Sequence, residues 1–186
     1  MLSFKRNRNR MEGLKVAILS QVDYDGGAEA VRREFDDQVM KHGRITNMKR
    51  TLLHSVPAFK AYMEWYTLAA EIETFVGKRG VYVFSFAIST QNDCLICSTF
   101  FRKILNDGGE DPGHLALSGR EQLLVDYGKQ LASAPGSIPQ DIYDRLKEAF
   151  NEKEILLLTA FAGLMIATNL INTALKVDLD DYLQGY

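Results

Sequence analysis

The sequence has little of several residue types, and each shortage excludes a class of protein. Two cysteines in 186 residues are too few for a disulfide-stapled scaffold. Three scattered histidines argue against zinc, because a structural zinc ion needs four ligands. We therefore expect neither a metal nor a cofactor. Four prolines and an apolar fraction of 46% exclude collagen-like and wholly disordered chains. The composition is typical of a globular protein with one sizeable core.

An excess of charge of either sign is also missing. Lys and Arg total 22 against 24 Asp and Glu, which gives a net charge of −2. Nucleic acids attract proteins largely through an excess of positive charge, so we predict no nucleic-acid partner. Residues 1–10 hold four basic side chains and no acidic one. We predict a disordered, solvated basic N-terminus over residues 1–13 and the folded domain over residues 14–186.

One apolar run is long enough to suggest a membrane span. Residues 155–175 contain no charged side chain, and 21 positions are sufficient to cross a bilayer. Polar residues such as Thr168, Asn169 and Asn172 make an isolated membrane helix unfavourable. We predict instead a core helix that is buried on all sides in a soluble bundle, with no membrane partner. The apolar stretch after the basic start is too short for a signal peptide, so we expect a cytoplasmic protein.

Apolar residues recur at helical spacing along most of the chain. Helix boundaries are indicated by Gly43 as a stop, Pro57 in a first turn, and two capping-box pairs, Ser118 with Glu121 and Asn151 with Glu154. Residues 81–88 are β-branched and aromatic, as in a strand, but no partner strand of similar character follows them. We therefore predict helix there as well. The sequence predicts an all-α fold, a single-domain helical bundle.

The two cysteines, Cys94 and Cys97, lie at the start of an amphipathic helix that ends before Gly108. We expect Asn92 or Asp93 to cap this helix. The spacing places both sulfurs on one helical face, close enough for a disulfide. A helix N-terminus also stabilises a thiolate, which is the reactive form of cysteine. The pattern indicates a redox dithiol, and the alternative is a pair of small buried core residues.

This arrangement resembles the carboxymuconolactone decarboxylase-like superfamily, and within it the AhpD-like alkylhydroperoxidase branch. The resemblance begins near Lys15, includes residues 43–47 and 52–57, centres on the CxxC helix, and ends with the long apolar helix and residues 177–183. Members of the family are all-helical and commonly form trimers or hexamers. The resemblance therefore implies a homo-oligomer, and it places residues 81–88 in the helix that leads to the cysteines.

In peroxidase-active members, the second cysteine attacks the hydroperoxide, the first forms a disulfide with it, and a separate dithiol reduces that disulfide. The resemblance thus implies that Cys97 is the peroxidatic residue and Cys94 the resolving one. Those members also carry a glutamate and two histidines as a proton relay. The corresponding positions here hold Tyr82, Ile96 and Phe101. We expect weak peroxidase activity, because general acid–base help is lost, with Tyr82 as a substitute proton donor.

Phe101 makes the surroundings of Cys97 apolar, which favours an apolar substrate or an inactive site. Further candidates for the same cavity, each more commonly a core or surface residue, are His54, Tyr62, Trp65 and Tyr66.

Three functions remain open from the sequence. The first is a thiol–disulfide oxidoreductase that reduces hydroperoxides through Cys94 and Cys97 and is regenerated by an unidentified dithiol. The second is a non-redox enzyme for a small carbon acid or lactone, as in the decarboxylase branch, whose members generally lack the CxxC. The third is a catalytically inactive oligomer that binds a small apolar ligand.

Overall fold

The structure is a computed structural model that describes residues 17–186. The predicted disordered segment, residues 1–13, lies outside the described residues. The helices are, in chain order, α1 (Glu29–His42), α2 (Asn47–Leu52), α3 (Val56–Gln91), α4 (Leu95–Asp107), α5 (Gly119–Ser133), α6 (Gln140–Ala149) and α7 (Glu152–Ala174), with 3₁₀ turns at Pro135–Ser137 and Asp181–Leu183. Residues 17–186 contain no strand, which confirms the all-α prediction.

Helix α3 is the central element, and it packs against α4, α5 and α7. Pro57 lies in its first turn, as predicted, and the Ser55 hydroxyl accepts the backbone N–H of Ala58 at 3.4 Å. The helical path is interrupted at Gly77, whose φ of 74° and ψ of 162° suit glycine alone. Residues 81–88 lie in the second helical segment, which confirms the helix prediction there. Their β-branched and aromatic side chains fill the core instead of pairing in a sheet.

Helix α7 is the predicted apolar helix. It begins with the predicted capping box: Asn151 Oδ1 accepts the Glu154 N–H at 3.0 Å, and Glu154 Oε2 accepts the Asn151 N–H at 2.9 Å. By its length and its mean hydropathy of 1.9, the helix is long and apolar enough to cross a membrane, and 33% of this stretch is buried in the protein. The prediction of burial on all sides is wrong. One face packs on α3, while Leu156 and Leu170 are 68% and 64% exposed.

Helices α3 and α5 approach each other closely at Gly128. A Cβ built on Gly128 lies 2.9 Å from Phe84 Cε2 and 3.0 Å from Ile88 Cγ1. Real carbon contacts are longer, so any larger residue must displace these core side chains. The predicted Ser118–Glu121 capping box at the start of α5 is present.

We expect Gly128→Ala to lower the free energy of unfolding by about 1 kcal/mol, because overpacking outweighs the gain in helix propensity. Urea denaturation measures this change. Gly119→Ala, also in α5, is the matched control, because a Cβ there meets no atom within 4 Å, and we expect a change within about 0.5 kcal/mol. A Gly128→Ala protein as stable as the control would contradict the close approach of the two helices.

The segment after α7 folds back against α2 and α4 and completes one side of the molecule. Asp180 Oδ1 accepts the backbone N–H of Asn47 at 2.8 Å, and Lys103 Nζ donates to the Tyr186 hydroxyl at 3.1 Å. Leu183 is buried in the core. Helix α2 and the C-terminal segment thereby border the space next to the start of α4.

Candidate functional site

Both cysteines lie at the junction of α3 and α4. Cys94 is the N-cap of α4, so the prediction of Asn92 or Asp93 as the cap is wrong. Helix α3 continues to Gln91, and the Asn92 N–H still bonds to the Ile88 carbonyl at 3.0 Å. Asp93 makes the turn between the helices with a φ of 51°. The capping position therefore falls to the first cysteine.

The two sulfurs are buried thiols. Cys94 is 0% and Cys97 6% exposed, and neither is in a disulfide. Asn172 on α7 donates its Nδ2 hydrogen to Cys97 Sγ at 3.2 Å. An N–H donor aimed at sulfur stabilises the thiolate relative to the thiol. Helix α7 thus supplies a polar partner for the second cysteine inside an apolar core.

The pKa values of the two cysteines shift in opposite directions. A hydrogen bond from the Cys97 thiol lowers the pKa of Cys94 to about 6, although burial opposes this change. The same hydrogen bond, together with burial, raises the pKa of Cys97. The shared hydrogen bond therefore favours the thiolate form of Cys94 and the thiol form of Cys97.

A cavity of about 140 Å³ adjoins the second cysteine. In the part of the chain that the structure describes, its wall includes Cys97 but does not include Cys94. A small molecule in the cavity thus meets Cys97, with Cys94 behind it in the core. The aliphatic, methionine and phenylalanine side chains of the wall are Met48, Met63, Ile96, Phe100, Phe101, Met165 and Leu183, so the two relay positions Ile96 and Phe101 both border the cavity.

Three of the four further candidates line the cavity, although a core or surface role was the commoner expectation for each of them. Tyr62, Trp65 and Tyr66 line the cavity, and they come from the first segment of α3. His54 does not belong to the wall among the described residues. Its Nε2 lies 2.8 Å from the carbonyl oxygen of Ser20, on the outside of the molecule.

Tyr82 is half-buried in the second segment of α3. Its ring centroid lies 6.5 Å from that of Phe101, and its side chain packs against the core. Within residues 17–186 it is not part of the cavity wall. These contacts are packing contacts. The role of Tyr82 as a proton donor stays a prediction.

Sequence reasoning missed two polar residues of the site. Lys49, on α2, lines the cavity and is 4% exposed. Burial lowers the pKa of Lys49 to about 8, and Asp180 partly opposes this shift. The other residue is Asn172. One buried face of α7 carries Thr168, Asn169 and Asn172. This spacing of polar residues in an apolar helix could have indicated that Asn172 belongs to a buried site. No pattern in the sequence indicates that Lys49 is buried.

No protein-family model and no curated protein matches the sequence. Solved structures do match. An uncharacterised peroxidase-related protein from Silicibacter sp. TM1040 has a TM-score of 0.71 at 17% identity, with 91% of this chain and 94% of that chain covered. An uncharacterised peroxidase-related protein from Ralstonia eutropha JMP134, described as an alkylhydroperoxidase AhpD core, has a TM-score of 0.68 at 14% identity, with 90% and 94% covered. The chain has the AhpD-like fold.

A third similar structure is a protein of unknown function from Agrobacterium tumefaciens, provisionally described as an antioxidant defence protein AhpD. It has a TM-score of 0.59 at 18% identity, and the match covers 68% of this chain and 93% of that chain. The resemblance drawn from the sequence is thus confirmed for the fold. Because one AhpD-like fold can hold sites of different chemistry, the activity must be argued from the site.

Proposed function

We propose that the protein is a thiol–disulfide oxidoreductase that reduces hydroperoxides through Cys97 and Cys94. The observation that carries this proposal is the placement of the two sulfurs: Cys97 faces an apolar cavity and accepts a hydrogen bond from Asn172, while Cys94 lies behind it at the N-cap of α4. The AhpD-like, peroxidase-related neighbours support it. Because the cycle requires a reducing compartment, we also propose a cytoplasmic location.

The reaction begins when the proton that the pair shares moves from Cys97 to Cys94. The Cys97 thiolate attacks the terminal oxygen of the hydroperoxide, the O–O bond breaks, and Cys97 becomes a sulfenic acid. The departing alkoxide takes the proton from Cys94 and leaves as an alcohol. The Cys94 thiolate then attacks the Cys97 sulfur, which forms the disulfide and releases hydroxide. An external dithiol then supplies two electrons and two protons: the electrons and one proton restore the resting pair, and the other proton converts the released hydroxide to water.

This scheme gives Cys94 part of the function of the missing relay. Ile96 and Phe101 carry no titratable group, so they neither accept nor donate the proton. Because its lowered pKa favours the thiolate, Cys94 is free to accept the proton of Cys97 and then return it to the leaving group. A thiolate with a pKa near 6 is a weak base, and we therefore expect turnover to be slow.

Steady-state turnover tests the proposal. The protein is mixed with cumene hydroperoxide and dihydrolipoamide, and hydroperoxide consumption is compared between the wild type and a Cys94→Ser, Cys97→Ser double variant. We expect consumption above the protein-free rate in the wild type and none above it in the double variant. Equal consumption by both proteins would contradict the proposal. Retained ligand binding without turnover in the wild type would favour the inactive, ligand-binding function instead.

We also propose that the protein forms a homo-oligomer through the exposed face of α7. Exposed apolar or small residues follow each other at spacings of three, four or seven positions along this face: Leu156, Ala160, Gly163, Leu170 and Ala174. Residues 155–175 carry no charge. Small residues between leucines allow a second copy of α7 to approach closely, and burial removes an apolar stripe from water.

We expect Leu170→Glu to shift the protein to a smaller species in sedimentation velocity, because a charge within the interface must be desolvated. Met40→Glu is the matched control: Met40 is an exposed apolar residue on α1, and its replacement should leave the sedimentation coefficient unchanged. A wild-type protein that sediments as a monomer would contradict the proposed assembly.

A further inference from the structure

Lys49 is the unusual group in the cavity. Its Nζ donates to the Tyr66 hydroxyl at 2.8 Å and lies 4.9 Å from the centre of the Tyr66 ring. Among residues 17–186, no carboxylate oxygen lies within 4 Å of this nitrogen. An ammonium group has three donors, so its hydrogen-bonding capacity exceeds what its surroundings use. A buried charge in this position is unfavourable unless an anion joins it.

Two other buried polar atoms of the cavity residues lack a partner within the described part of the chain. They are Trp65 Nε1, a donor, and Asn172 Oδ1, an acceptor. Asn172 is 3% exposed and bonds to Cys97 through its other side-chain atom. Buried polar groups are nearly always hydrogen-bonded in folded proteins. Unused groups around a cavity therefore indicate that a ligand with polar atoms completes the site.

The charges around Lys49 favour an anion with a single charge. Asp180 also borders the cavity, and burial raises its pKa, while the Asn47 N–H occupies one of its oxygens. His42 stacks on Tyr66, with 4.3 Å between the ring centroids, and burial lowers the pKa of His42. One buried cation with few donors matches a carboxylate better than a phosphate dianion, which needs more donors.

We propose that the cavity binds an amphipathic carboxylate, whose head group pairs with Lys49 and the Tyr66 hydroxyl and whose apolar body packs along the methionine and phenylalanine wall towards Cys97. Binding of the carboxylate does not depend on the peroxidase function, but the substrate class does. If the protein is a peroxidase, as proposed above, its substrate is the hydroperoxide of an apolar acid, such as a fatty acid. The carboxylate anchors the molecule at one end of the cavity. The reaction with the hydroperoxide group then takes place at Cys97, which lines the same cavity.

The binding test needs no turnover. Trp65 is the single tryptophan of the chain and lines the cavity, so its fluorescence reports occupancy. Reduced wild-type protein is titrated at neutral pH with octanoate and, separately, with 1-octanol. We expect octanoate to bind at least about ten-fold more tightly, because a hydrogen-bonded charge is added to the same apolar contacts.

Three variants locate the effect. We expect Lys49→Met to lower the affinity for octanoate at least about ten-fold and to leave the affinity for octanol unchanged. Tyr66→Phe should also lower the affinity for octanoate, by a smaller factor. This variant replaces Lys49→Met in the test if Lys49→Met fails to fold. Lys60→Met is the matched control, because Lys60 is an exposed lysine on α3, and both affinities should equal those of the wild type.

Equal affinities for octanoate and octanol in the wild type would overturn the proposal, as would an equal loss of both ligands in Lys49→Met. Failure of both ligands to bind would overturn it too. These outcomes are distinguishable from failure of the peroxidase function, because cumene hydroperoxide carries no carboxylate and octanoate carries no hydroperoxide. Each experiment can succeed when the other fails.

Discussion

Cys97→Ser protein should remain unoxidised by a small excess of organic hydroperoxide, whereas Cys94→Ser protein should be oxidised slowly and stop at a sulfenic acid on Cys97. The first variant lacks the sulfur that faces the cavity. The second lacks both the base that accepts the Cys97 proton and the sulfur that resolves the sulfenic acid. Loss of a general base costs about 10² to 10⁴ in rate, so Cys94→Ser should react at least about 100-fold more slowly than the wild type.

Access and acidity point to different sulfurs, which makes this pair of variants decisive. Cys94 has the lower pKa, about 6, but it is fully buried. Cys97 adjoins the cavity and has the hydrogen bond from Asn172. We expect access to the cavity to determine which sulfur attacks the hydroperoxide. One proton transfer within the pair generates the Cys97 thiolate, whereas no proton transfer exposes Cys94.

Intact mass after trapping with dimedone measures the outcome. A dimedone adduct on Cys94→Ser and none on Cys97→Ser is the expected result. Each single variant retains one thiol, since the chain has 2 cysteines in total, so the mass of an adduct assigns its position without ambiguity. An adduct on Cys97→Ser alone would assign the attacking role to Cys94.

Lys49→Met protein should be more stable than the wild type at neutral pH, by about 1 to 2 kcal/mol. The pKa of Lys49 falls from 10.5 to about 8 in the folded protein because the ammonium is buried. A shift of one pKa unit corresponds to about 1.4 kcal/mol, which gives an upper limit of about 3 kcal/mol. The lost hydrogen bond to Tyr66 offsets about 1 kcal/mol of this gain.

The sign of the pH dependence follows from proton binding. Between about pH 8 and 10.5 the unfolded chain holds the Lys49 proton more tightly than the folded protein does. The contribution of Lys49 to the free energy of unfolding therefore rises with pH across that window. Below about pH 8 the full cost of burying the ammonium is present. Lys49→Met removes the penalty, so its advantage should shrink as the pH rises from about 8 to 10.

Urea denaturation at several pH values measures both effects. Lys60→Met is the control, and we expect it to follow the wild type within about 0.5 kcal/mol at every pH. A Lys49→Met protein that is less stable than the wild type at neutral pH would show that the buried ammonium is well satisfied without a ligand. Retention of a destabilising residue in a cavity is typical of a functional site.

Local chemistry made much of the fold predictable. The stop at Gly43 and the capping boxes at Ser118 and Asn151 depend on neighbours within four residues, and the structure confirms them. The helix over residues 81–88 was predicted against its β propensity, because no partner strand was available. The cap of α4 was predicted wrongly, since the length of α3 determines which residue is left for that position.

The candidate site was predictable in its sulfurs and aromatic wall but not in its charge. Cys97 was predicted from the CxxC motif, and Trp65 was named as a further candidate that is more commonly a core or surface residue; both line the same cavity. Lys49 lies in the short helix α2, and its burial results from packing against α3 and the C-terminal segment. The distance along the chain from Lys49 to Asp180 is too great for any local pattern to reveal that both border one cavity.

A timed intact-mass series tests whether Cys97 and Cys94 form a working dithiol. Reduced wild-type protein receives a small excess of cumene hydroperoxide, and samples are quenched with an alkylating agent. We predict that both alkylation sites disappear together, which indicates an intramolecular disulfide, and that dihydrolipoamide restores them. If both thiols stay alkylatable for hours, the peroxidase function is wrong.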